Sequence, residues 1–320
     1  MQIFITGVAG FLGSHLASFH LNKGDEVFGI DNCTAENSDY IKNLNQNKKF
    51  HFFFGNLEDT SLYQTILPKI DLIYHFAAIV GVFQVLNDPE KVLDININST
   101  QNFLKKILEY APHSRIFILS TSEVYGEHEH HKLLEDMSAI INIQLKTRNN
   151  YAISKLVCEA YGLTYHEKYG LKMSILRPFN VIGPRQGGQY GMVVPRFIEA
   201  AKKGQPLKVF GNGQQVRTFC HVNDFLGFIT ALINSPKSVG EIINIGGLET
   251  IKIIDLASLI IQIAQSSSTI EFETYEQAYH LNQEFSQYRC PDLKRLLSLV
   301  NYRHQYSLIE TLEELIHEKN

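Results

Sequence analysis

The feature that most constrains this chain is a glycine-spaced turn close to its start. A short apolar strand, Ile3 to Thr6, runs directly into three glycines spaced three residues apart, Gly7, Gly10 and Gly13. Glycines at such a junction let the backbone approach a pyrophosphate at the N-terminus of the next helix, where unpaired N–H groups and the helix dipole favour an anion. A tight strand-to-helix turn without a ligand is the alternative for this pattern. The position of the turn, at the first strand-to-helix junction, favours dinucleotide binding.

Apolar strand patterns alternate with helix patterns through the first two thirds of the chain. The predicted strands are Ile3 to Thr6, Glu26 to Ile30, Phe50 to Phe54, Leu72 to Phe76, Arg115 to Ser120 and Lys172 to Leu176. The predicted helices between them are Leu12 to Asn22, Glu90 to Tyr110 and Tyr151 to Tyr169. Apolar strands that alternate with helices indicate a parallel sheet covered on both faces. The sequence therefore predicts an α/β fold with a Rossmann-type doubly wound parallel sheet.

The sequence pattern changes near Arg177, where glycines and prolines begin to interrupt the alternation of strands and helices. Loops that are displayed on a rigid sheet usually carry specificity. The apolar strand at 242–245 and the helix at 223–234 are expected to return to the sheet. We therefore predict a smaller, discontinuous C-terminal substrate domain over 178–214 and 247–320, beside a dinucleotide-binding Rossmann domain over 1–177 that 215–246 rejoins.

Composition excludes several classes of partner. The chain has 320 residues, of which 44% are hydrophobic and 19% charged, as in an ordinary globular protein. Its formal net charge of -4 supplies no basic surface for holding a phosphate backbone, so no nucleic acid is expected as a partner. The longest mostly apolar stretch, Ile70 to Leu86, is interrupted by Asp71, His75 and Gln84, so no membrane span is expected either.

Cysteine and histidine spacing argues against a metal or redox site. The cysteines, Cys33, Cys158, Cys220 and Cys290, lie far apart, without the C-x-x-C pair of a zinc site or a redox dithiol. The run from His128 to His131 follows Gly126 in a polar stretch without a distant partner ligand, so a solvated loop is expected there. No basic segment of a signal peptide precedes the first strand. These features predict a reduced, cytoplasmic protein with no metal.

Two side chains at strand ends are candidates for contact with the adenosine half of a dinucleotide. Asp31 ends the second predicted strand, and an acid there accepts hydrogen bonds from ribose hydroxyls and repels a 2′-phosphate. This favours NAD over NADP, although an Asp-Asn pair, here with Asn32, also forms turns without a ligand. Asn56 follows the third strand and is a candidate for the adenine edge, where a plain loop asparagine is the alternative.

A second group of residues has the pattern of a proton-transfer site. The fifth predicted strand runs into Thr121, and the next helix opens with Tyr151 and Lys155. Residues at i and i+4 share one helical face, so the Lys155 ammonium is expected to lower the pKa of the Tyr151 phenol and let it act as a base. A Tyr-x-x-x-Lys pair alone is common by chance, but it becomes specific beside the glycine turn and the strand-end hydroxyl.

These motifs together resemble a known family. The chain is similar to extended short-chain dehydrogenases/reductases of the NAD-dependent nucleotide-sugar epimerase/dehydratase family, from Ile3 to about Leu296. The motifs that carry the resemblance are Thr6-Gly7-x-x-Gly10-x-x-Gly13, His75-Phe76-Ala77-Ala78, Asn96 with Thr100, the STSEVYG segment from Ser120, Tyr151 with Lys155, Arg177-Pro178-Phe179-Asn180, and Gly211-Asn212-Gly213 leading to Arg217. Two positions depart from the family pattern: Asn56 replaces a usual Asp, and Ser99 replaces a usual Gly.

The resemblance implies NAD as the bound cofactor. The positions that it assigns to cofactor binding are Gly7, Gly10, Phe11, Leu12, Gly13, Asp31, Asn32, Asn56, Leu57, Phe76, Ala77, Ala78, Asn96, Tyr151, Lys155 and Pro178. Within the family, the helices at 90–110 and 151–169 build a dimer interface, so a homodimer is expected.

The resemblance also implies catalytic roles for Thr121, Glu123, Tyr151 and Lys155. Tyr151 takes the proton from the sugar 4-hydroxyl while Thr121 shares the hydrogen bond and the C4 hydride passes to NAD. Lys155 anchors the nicotinamide ribose. The 4-ketone then accepts the hydride on its other face, or it acidifies C5 for a further step.

On the substrate side, the resemblance implies a nucleotide sugar, with UDP favoured as the carrier. The positions that it assigns to substrate binding are Ser122, Glu123, Asn180, Arg185, Val193, Val194, Arg217 and Arg289. A diphosphate calls for guanidinium groups, which form two-pronged hydrogen bonds with phosphate oxygens. For Arg289, a surface salt bridge is the alternative.

Glu123 bears on which reaction follows the oxidation. In this family, a carboxylate two residues after the catalytic hydroxyl is the base or faces C5 in 4,6-dehydratases and uronate decarboxylases, which favours chemistry beyond C4. The dTDP-glucose dehydratases pair it with an Asp acid where this chain has Ser122, although related dehydratases manage with Ser. The Arg289-x-Pro291-Asp292 motif resembles the decarboxylases.

Other segments resemble the 4-epimerases. These are Pro184-Arg185-Gln186 and the loop from Val193 to Phe197, and Ile79 to Val82 lacks the Pro/Ser-rich segment usual in the decarboxylases. The sequence therefore favours a 4-epimerase of a UDP-hexose or UDP-hexuronate. A UDP-glucuronate decarboxylase and a nucleotide-sugar 4,6-dehydratase remain the alternatives.

Overall fold

The computed structural model describes residues 1–33, 38–58, 62–128, 132–142, 149–188, 191–279 and 286–318. The strands are β1 (Gln2–Thr6), β2 (Glu26–Asp31), β3 (Phe50–Phe54), β4 (Leu72–His75), β5 (Arg115–Leu119), β6 (Lys172–Pro178), β7 (Val181–Ile182), β8 (Leu207–Phe210), β9 (Val216–Thr218), β10 (Cys220–His221), β11 (Ile242–Ile245), β12 (Thr250–Lys252), β13 (Ile270–Glu273) and β14 (Tyr288–Arg289). The helices are α1 (Phe11–Asn22), α2 (Asp39–Leu44), α3 (Tyr63–Ile66), α4 (Val82–Asn87), α5 (Pro89–Tyr110), α6 (Asn150–Tyr169), α7 (Val193–Lys202), α8 (Val222–Ile233), α9 (Ile253–Ile263), α10 (Tyr275–Tyr279), α11 (Lys294–Leu299) and α12 (Leu308–His317).

Seven strands form one parallel sheet in the order β11-β6-β5-β4-β1-β2-β3. Successive side chains of a strand point to opposite faces, and both faces are buried here. Ile3 and Ile5 pack in a core cluster with residues of α1 and α8, whereas Phe4 packs in a second cluster with residues of α5 and α6. This double burial explains the continuous apolar strands and confirms the predicted Rossmann-type doubly wound fold.

The strand order reverses direction at β1, which lies between β4 and β2. In open parallel sheets a crevice forms at the carboxyl ends of the strands beside such a reversal, and ligands bind there. The ends of β1, β2 and β4 therefore define where the candidate site lies.

Smaller sheets follow the main one in the chain. β9 pairs antiparallel with β12 and parallel with β14, β8 pairs with β13, and β7 pairs with β10. A further apolar cluster joins α7, α9 and α12, with Phe197, Leu256 and Leu312 fully buried in it. β11 lies in the main sheet and β9 in a small one; the predicted domain boundaries, which place 215–246 with the Rossmann half, stay a prediction. Among the described residues, no helix is both long enough and apolar enough to cross a bilayer.

Candidate active site

The glycine turn has a backbone that other residues would disturb. Gly7 has a φ of +74°, a left-handed conformation that glycine adopts without strain. A Cβ on Gly13 would overlap the Gly7 carbonyl oxygen, so α1 can approach the turn closely only with glycine there. Gly10 is the N-cap of α1 and has no side chain to occupy the first N–H groups of that helix. This open helix start fits the pyrophosphate of NAD.

A buried hydrogen-bonded chain holds the neighbouring strand end against this turn. Thr6 Oγ1 accepts from the backbone N–H groups of Phe76 at 3.1 Å and Ala77 at 3.0 Å, so its own proton is directed to His75 Nδ1 at 3.0 Å. His75 Nε2 then donates to Thr100 Oγ1 at 2.9 Å. Burial lowers the pKa of His75 to about 3, so the imidazole is neutral. Sequence reasoning named these positions as family motifs but missed that they support the turn.

Asp31 is bonded to the same turn. Its carboxylate accepts from the N–H groups of Ala9 and Cys33, both at 2.9 Å, and burial raises its pKa. A carboxylate has lone pairs beyond these two bonds, so it can also accept from ribose hydroxyls. Asn32 Nδ2 donates to Asn56 Oδ1 at 3.3 Å, which brings these two predicted cofactor contacts together beside Asp31.

Asn96 joins the segment after β4 to the helix that carries Tyr151. Its Oδ1 accepts from Ile79 N at 2.8 Å, and its Nδ2 donates to Ile79 O at 3.2 Å and to Ser154 Oγ at 3.1 Å. The fully occupied amide makes Asn96 a support of the cofactor crevice. The remaining predicted cofactor positions are partly buried or buried: Phe11, Leu12, Leu57, Ala78 and Pro178.

The predicted proton-transfer residues come together. Thr121 follows β5, and its Oγ1 accepts from Glu123 N at 3.2 Å to cap a 3₁₀ turn over Ser122–Tyr125. The Tyr151 hydroxyl hydrogen-bonds with the Thr121 side chain. Lys155 is buried one turn further along α6, where its Nζ donates to Leu119 O at 2.7 Å.

The structure corrects the expected direction of the Tyr151 pKa. Burial raises the pKa of this hydroxyl, and the Glu123 carboxylate raises it further, against the lowering effect of the Thr121 hydrogen bond. Lys155 was expected to lower it, but burial lowers the pKa of Lys155 itself and its ammonium is directed to a backbone carbonyl. In the protein alone, Tyr151 is therefore a protonated donor rather than a base.

Glu123 faces an arginine from the far end of the chain. Its Oε1 lies 3.5 Å from Arg289 Nη1, with side-chain exposures of 28% for Glu123 and 14% for Arg289. The pair forms because β14 adds to the small sheet beside β9, which brings the C-terminal part of the chain back to the end of β5. The guanidinium is thus a partly buried cation at the candidate site, and its contact with substrate stays a prediction.

Arg217 and Asn180 lie next to this pair of strands. Arg217 is the register partner of Arg289 across β9 and β14, and its guanidinium donates to the carbonyls of Val216 and Ser286. Asn180 has a φ of 37°, uncommon for a residue other than glycine, and its Nδ2 donates to Thr218 O at 2.8 Å. These two predicted substrate contacts therefore share the edge of one small sheet.

Arg185 lies elsewhere. Its guanidinium stacks over the Tyr40 ring, with Cζ 5.1 Å from the ring centroid, and its positive charge acts on His15 of α1. It therefore borders the dinucleotide half rather than the edge that holds Arg217. Val193 and Val194 open α7, and Val194 is buried in the core cluster of that helix. Ser122 is buried in the turn after Thr121.

In the described part of the chain, no three His, Cys, Asp or Glu side chains are grouped so that they could hold a metal ion. Of the histidine run, 129–131 lie outside the described residues. The predicted loop at that run stays a prediction.

Comparisons with known proteins also indicate an NAD-dependent family. Residues 3–246 match the model of the NAD dependent epimerase/dehydratase family. The chain is 34% identical over 316 residues to a UDP-N-acetyl-alpha-D-glucosaminuronate decarboxylase of Bacillus cytotoxicus, covering 98% of this chain and 96% of that protein. It is 30% identical to UDP-glucuronic acid decarboxylase 1 of Arabidopsis thaliana, covering 99% and 69%.

A solved structure is also similar over the whole chain. It is the UDP-glucuronic acid 4-epimerase of Bacillus cereus in complex with UDP-glucuronic acid and NAD, which superposes with a TM-score of 0.87 at 31% identity and covers 99% of this chain and 98% of that one. That relative thus binds both a dinucleotide and a UDP-sugar.

Proposed function

Because the chain belongs to the NAD-dependent epimerase/dehydratase family, we propose that it decarboxylates a UDP-hexuronate after transient oxidation at C4. The observation that carries this proposal is the pair of Glu123 and Arg289, 3.5 Å apart beside Thr121 and Tyr151. A guanidinium that is mostly shielded from water and held by one carboxylate is suited to receive a second carboxylate, that of the uronate. A sugar without a carboxylate would leave this cation without such a partner.

The relatives support the decarboxylase over the 4-epimerase that the sequence favoured. Decarboxylases of UDP-hexuronates, among them those of Bacillus cytotoxicus and Arabidopsis thaliana, match at 30% identity or more across nearly all of this chain. A 4-epimerase of UDP-glucuronate is the second candidate, because its structure is similar over the whole chain. Both candidates take a UDP-hexuronate, so Arg289 has the same ligand in either case.

The first step uses the residues around Tyr151. Thr121 and Tyr151 would hold the sugar 4-hydroxyl between them, and Tyr151 would receive its proton. NAD, when bound, would accept the C4 hydride and return it, and its positively charged nicotinamide would help to lower the pKa of Tyr151. Lys155, fixed by Leu119 O, would donate to the nicotinamide ribose.

The second step uses the residues around Arg289. A ketone at C4 makes the uronate a β-keto acid, in which the C5–C6 bond can break, CO₂ leaves and the electron pair moves to the C4 oxygen. A proton from water then adds to C5, and C4 is reduced again as Tyr151 returns its proton to the C4 oxygen. Arg289 would orient the carboxylate, while Glu123 holds the guanidinium towards Thr121 and keeps a negative charge beside the departing group.

The nucleotide would extend from the sugar towards the small sheet. Arg217 lies on β9 as the strand neighbour of Arg289, and Asn180, between β6 and β7, donates to Thr218 O of β9. They are the candidate contacts of the diphosphate, with the start of α7 at Val193 and Val194 for the uracil. Arg185, beside α1 and Tyr40, would act near the dinucleotide instead.

We also propose that two chains associate through α5 and α6. These long helices pack closely on each other and leave Ile97, Ile153 and Val157 only partly covered in a single chain. Apolar side chains in this position are covered when a second copy packs against them. A molar mass measured by light scattering should be that of a dimer, and a monomeric mass would contradict the proposal.

Product analysis tests the function. The purified protein is incubated with UDP-glucuronate and with UDP-N-acetylglucosaminuronate, each labelled with ¹³C at C6, and with UDP-glucose. We expect labelled CO₂ and a UDP-pentose from at least one uronate, and no reaction with UDP-glucose. A product of unchanged mass would replace the proposal by the 4-epimerase, and loss of water from UDP-glucose would replace it by the dehydratase.

A further inference from the structure

A buried arginine lies behind the candidate site without reaching it. Arg177, near the end of β6, donates from Nε to Glu159 Oε1 at 2.8 Å and from Nη2 to Glu159 Oε2 at 2.7 Å. Its Nη1 donates to Glu135 O at 3.2 Å. Arg177 is 5% and Glu159 3% exposed, so both charges depend on each other and on neutral polar partners. Such a pair keeps its geometry because moving either charge exposes the other to an apolar interior.

Glu159 connects Arg177 to the residues of the C4 step. Tyr151, Lys155 and Glu159 are spaced by four along α6 and share one helical face. Glu159 Oε1 also accepts from Ser120 Oγ at 2.5 Å, and Ser120 directly precedes Thr121. One carboxylate thus joins the helix that carries Tyr151 to the strand end that carries Thr121.

Tyr125 connects Arg177 to the residues of the carboxylate step. The Arg177 guanidinium lies over the Tyr125 ring at 4.7 Å, and Tyr125 ends the 3₁₀ turn that contains Glu123. The Tyr125 hydroxyl donates to Asn244 Oδ1 at 2.6 Å. Asn244 Nδ2 donates in turn to Asp292 O at 3.3 Å, three residues beyond Arg289.

A short backbone pairing completes the connection to Arg289. Leu133 N donates to Cys290 O at 2.8 Å, and Asp292 N donates to Leu133 O at 2.8 Å. Asn244 holds the same segment, because its Nδ2 donates to Leu133 O at 2.9 Å and its N–H to Glu135 Oε1 at 2.9 Å. The strand that carries Arg289 is therefore fixed to the segment that Arg177 binds through Glu135 O.

We propose that Arg177 and Glu159 are positioning residues that set the distance between the two halves of the catalytic site, the hydroxyls of Thr121 and Tyr151 and the charged pair of Glu123 and Arg289. This inference rests on the proposed function, since it assigns oxidation at C4 to one half and loss of the carboxylate to the other. Ser120 is the link to the first half and Tyr125 the link to the second. Neither link touches the substrate, so each acts through the residues that it holds.

Two substitutions, each of which removes one hydroxyl, test the two links separately. Ser120→Ala removes the donor to Glu159, and Tyr125→Phe removes the hydroxyl that bonds Asn244 and Arg177, while both partners of the Arg177–Glu159 pair are kept. Matched controls exist outside these contacts: Ser114 donates to Ile70 O at 2.5 Å, and the buried Tyr74 hydroxyl is bonded to His20 Nε2 at 3.0 Å. Ser114→Ala and Tyr74→Phe therefore each delete a buried hydroxyl of the same kind that does not contact the Arg177–Glu159 pair.

The experiment compares the rate of cofactor reduction with the rate of CO₂ release. The first rate is followed by the absorbance of the reduced cofactor, and the second by labelled CO₂ from the uronate that the wild type turns over. Ser120→Ala should slow cofactor reduction about tenfold and leave the reduced fraction in steady state low. Tyr125→Phe should slow CO₂ release about tenfold, with cofactor reduction within about twofold of wild type, so that the reduced fraction rises. This fraction refers to active enzyme and does not depend on how much of a variant is folded.

The controls define the contrary result. Ser114→Ala and Tyr74→Phe should lower the thermal midpoint without changing the balance of the steps. If Ser120→Ala and Tyr125→Phe behave like them, the two residues only stabilise the fold and the inference is wrong. If the wild type releases no CO₂ from any uronate, the proposed function fails, and the first link is then tested alone: unchanged cofactor reduction in Ser120→Ala would overturn it.

Discussion

The charge on Glu123 controls the proton that Tyr151 holds. Its carboxylate raises the pKa of Tyr151, which burial has already raised, although Tyr151 must lose its proton to act as a base. In the proposed mechanism, Glu123 therefore works against the first step while it serves the second.

This opposition leads to a pH prediction for Glu123→Gln. Removing the negative charge lowers the pKa of Tyr151, so the base form appears at lower pH and the acid limb of the C4 oxidation rate moves to lower pH. Reduction of the bound cofactor by the uronate, followed by absorbance across pH, measures this limb. CO₂ release should fall by about 100-fold in the same variant. A limb that stays in place would show that Glu123 does not act on Tyr151.

Replacing the phenol itself gives a second prediction. Tyr151→Phe should lower turnover by about 100-fold or more, because it removes the group that exchanges the proton with the 4-hydroxyl. NAD should remain bound, since the glycine turn and Asp31 are unchanged. Turnover is measured with the uronate, and bound cofactor is quantified after acid extraction. Full activity in this variant would remove Tyr151 from the mechanism.

At the level of elements, the contact between α1 and the glycine turn is the tightest constraint. A Cβ at Gly13 would overlap the Gly7 carbonyl oxygen, whereas a Cβ at Gly55 has open space. Gly13→Ala should therefore weaken NAD binding by about tenfold or more, because the helix must move away from the turn. Titration of the cofactor-free protein with NAD measures this, with Gly55→Ala as the matched control. Equal affinities in the two variants would contradict the prediction.

The strands and helices differ in how well the sequence predicted them. The main strands and long helices were predicted within a few residues, because strands buried on both faces and helices between them have distinct patterns. The small sheets were not, since strands as short as β14 carry no pattern of their own. For the same reason the pairing of Glu123 with Arg289 was out of reach: it depends on two residues of β14 meeting β9. Glu159 gave one signal, its spacing of four from Lys155, but its partner Arg177 lies on another element.

For the whole molecule, buried histidines make stability depend on pH. Burial lowers the pKa of His15 to about 4 and that of His75 to about 3, from 6.5 in an exposed imidazole. At pH values between the folded and the unfolded pKa of each histidine, the unfolded chain binds more protons than the folded one. The free energy of unfolding therefore falls as the pH drops below about 6.5. Above that pH this contribution is complete.

Urea denaturation at pH 6 and pH 5 tests this dependence. His15→Gln removes one of the buried histidines with a lowered pKa and should reduce the loss between these conditions by about 1.4 kcal/mol per pH unit. The variant and the wild type are compared with the cofactor removed from both. Identical losses in the two proteins would show that His15 does not titrate on unfolding.

The two-residue strand β14 has a consequence for how such enzymes diverge. In the proposed site, Thr121 and Tyr151 follow from the seven-stranded sheet and its helices, whereas the arginine proposed to meet the charged end of the sugar lies on a strand of only two residues in a separate, three-stranded sheet. Altering that short strand would change which sugars fit, while the large sheet meets the segment after it through Asn244 of β11. New substrates can thus be gained over generations at little risk to folding, on a scaffold that keeps its oxidation step.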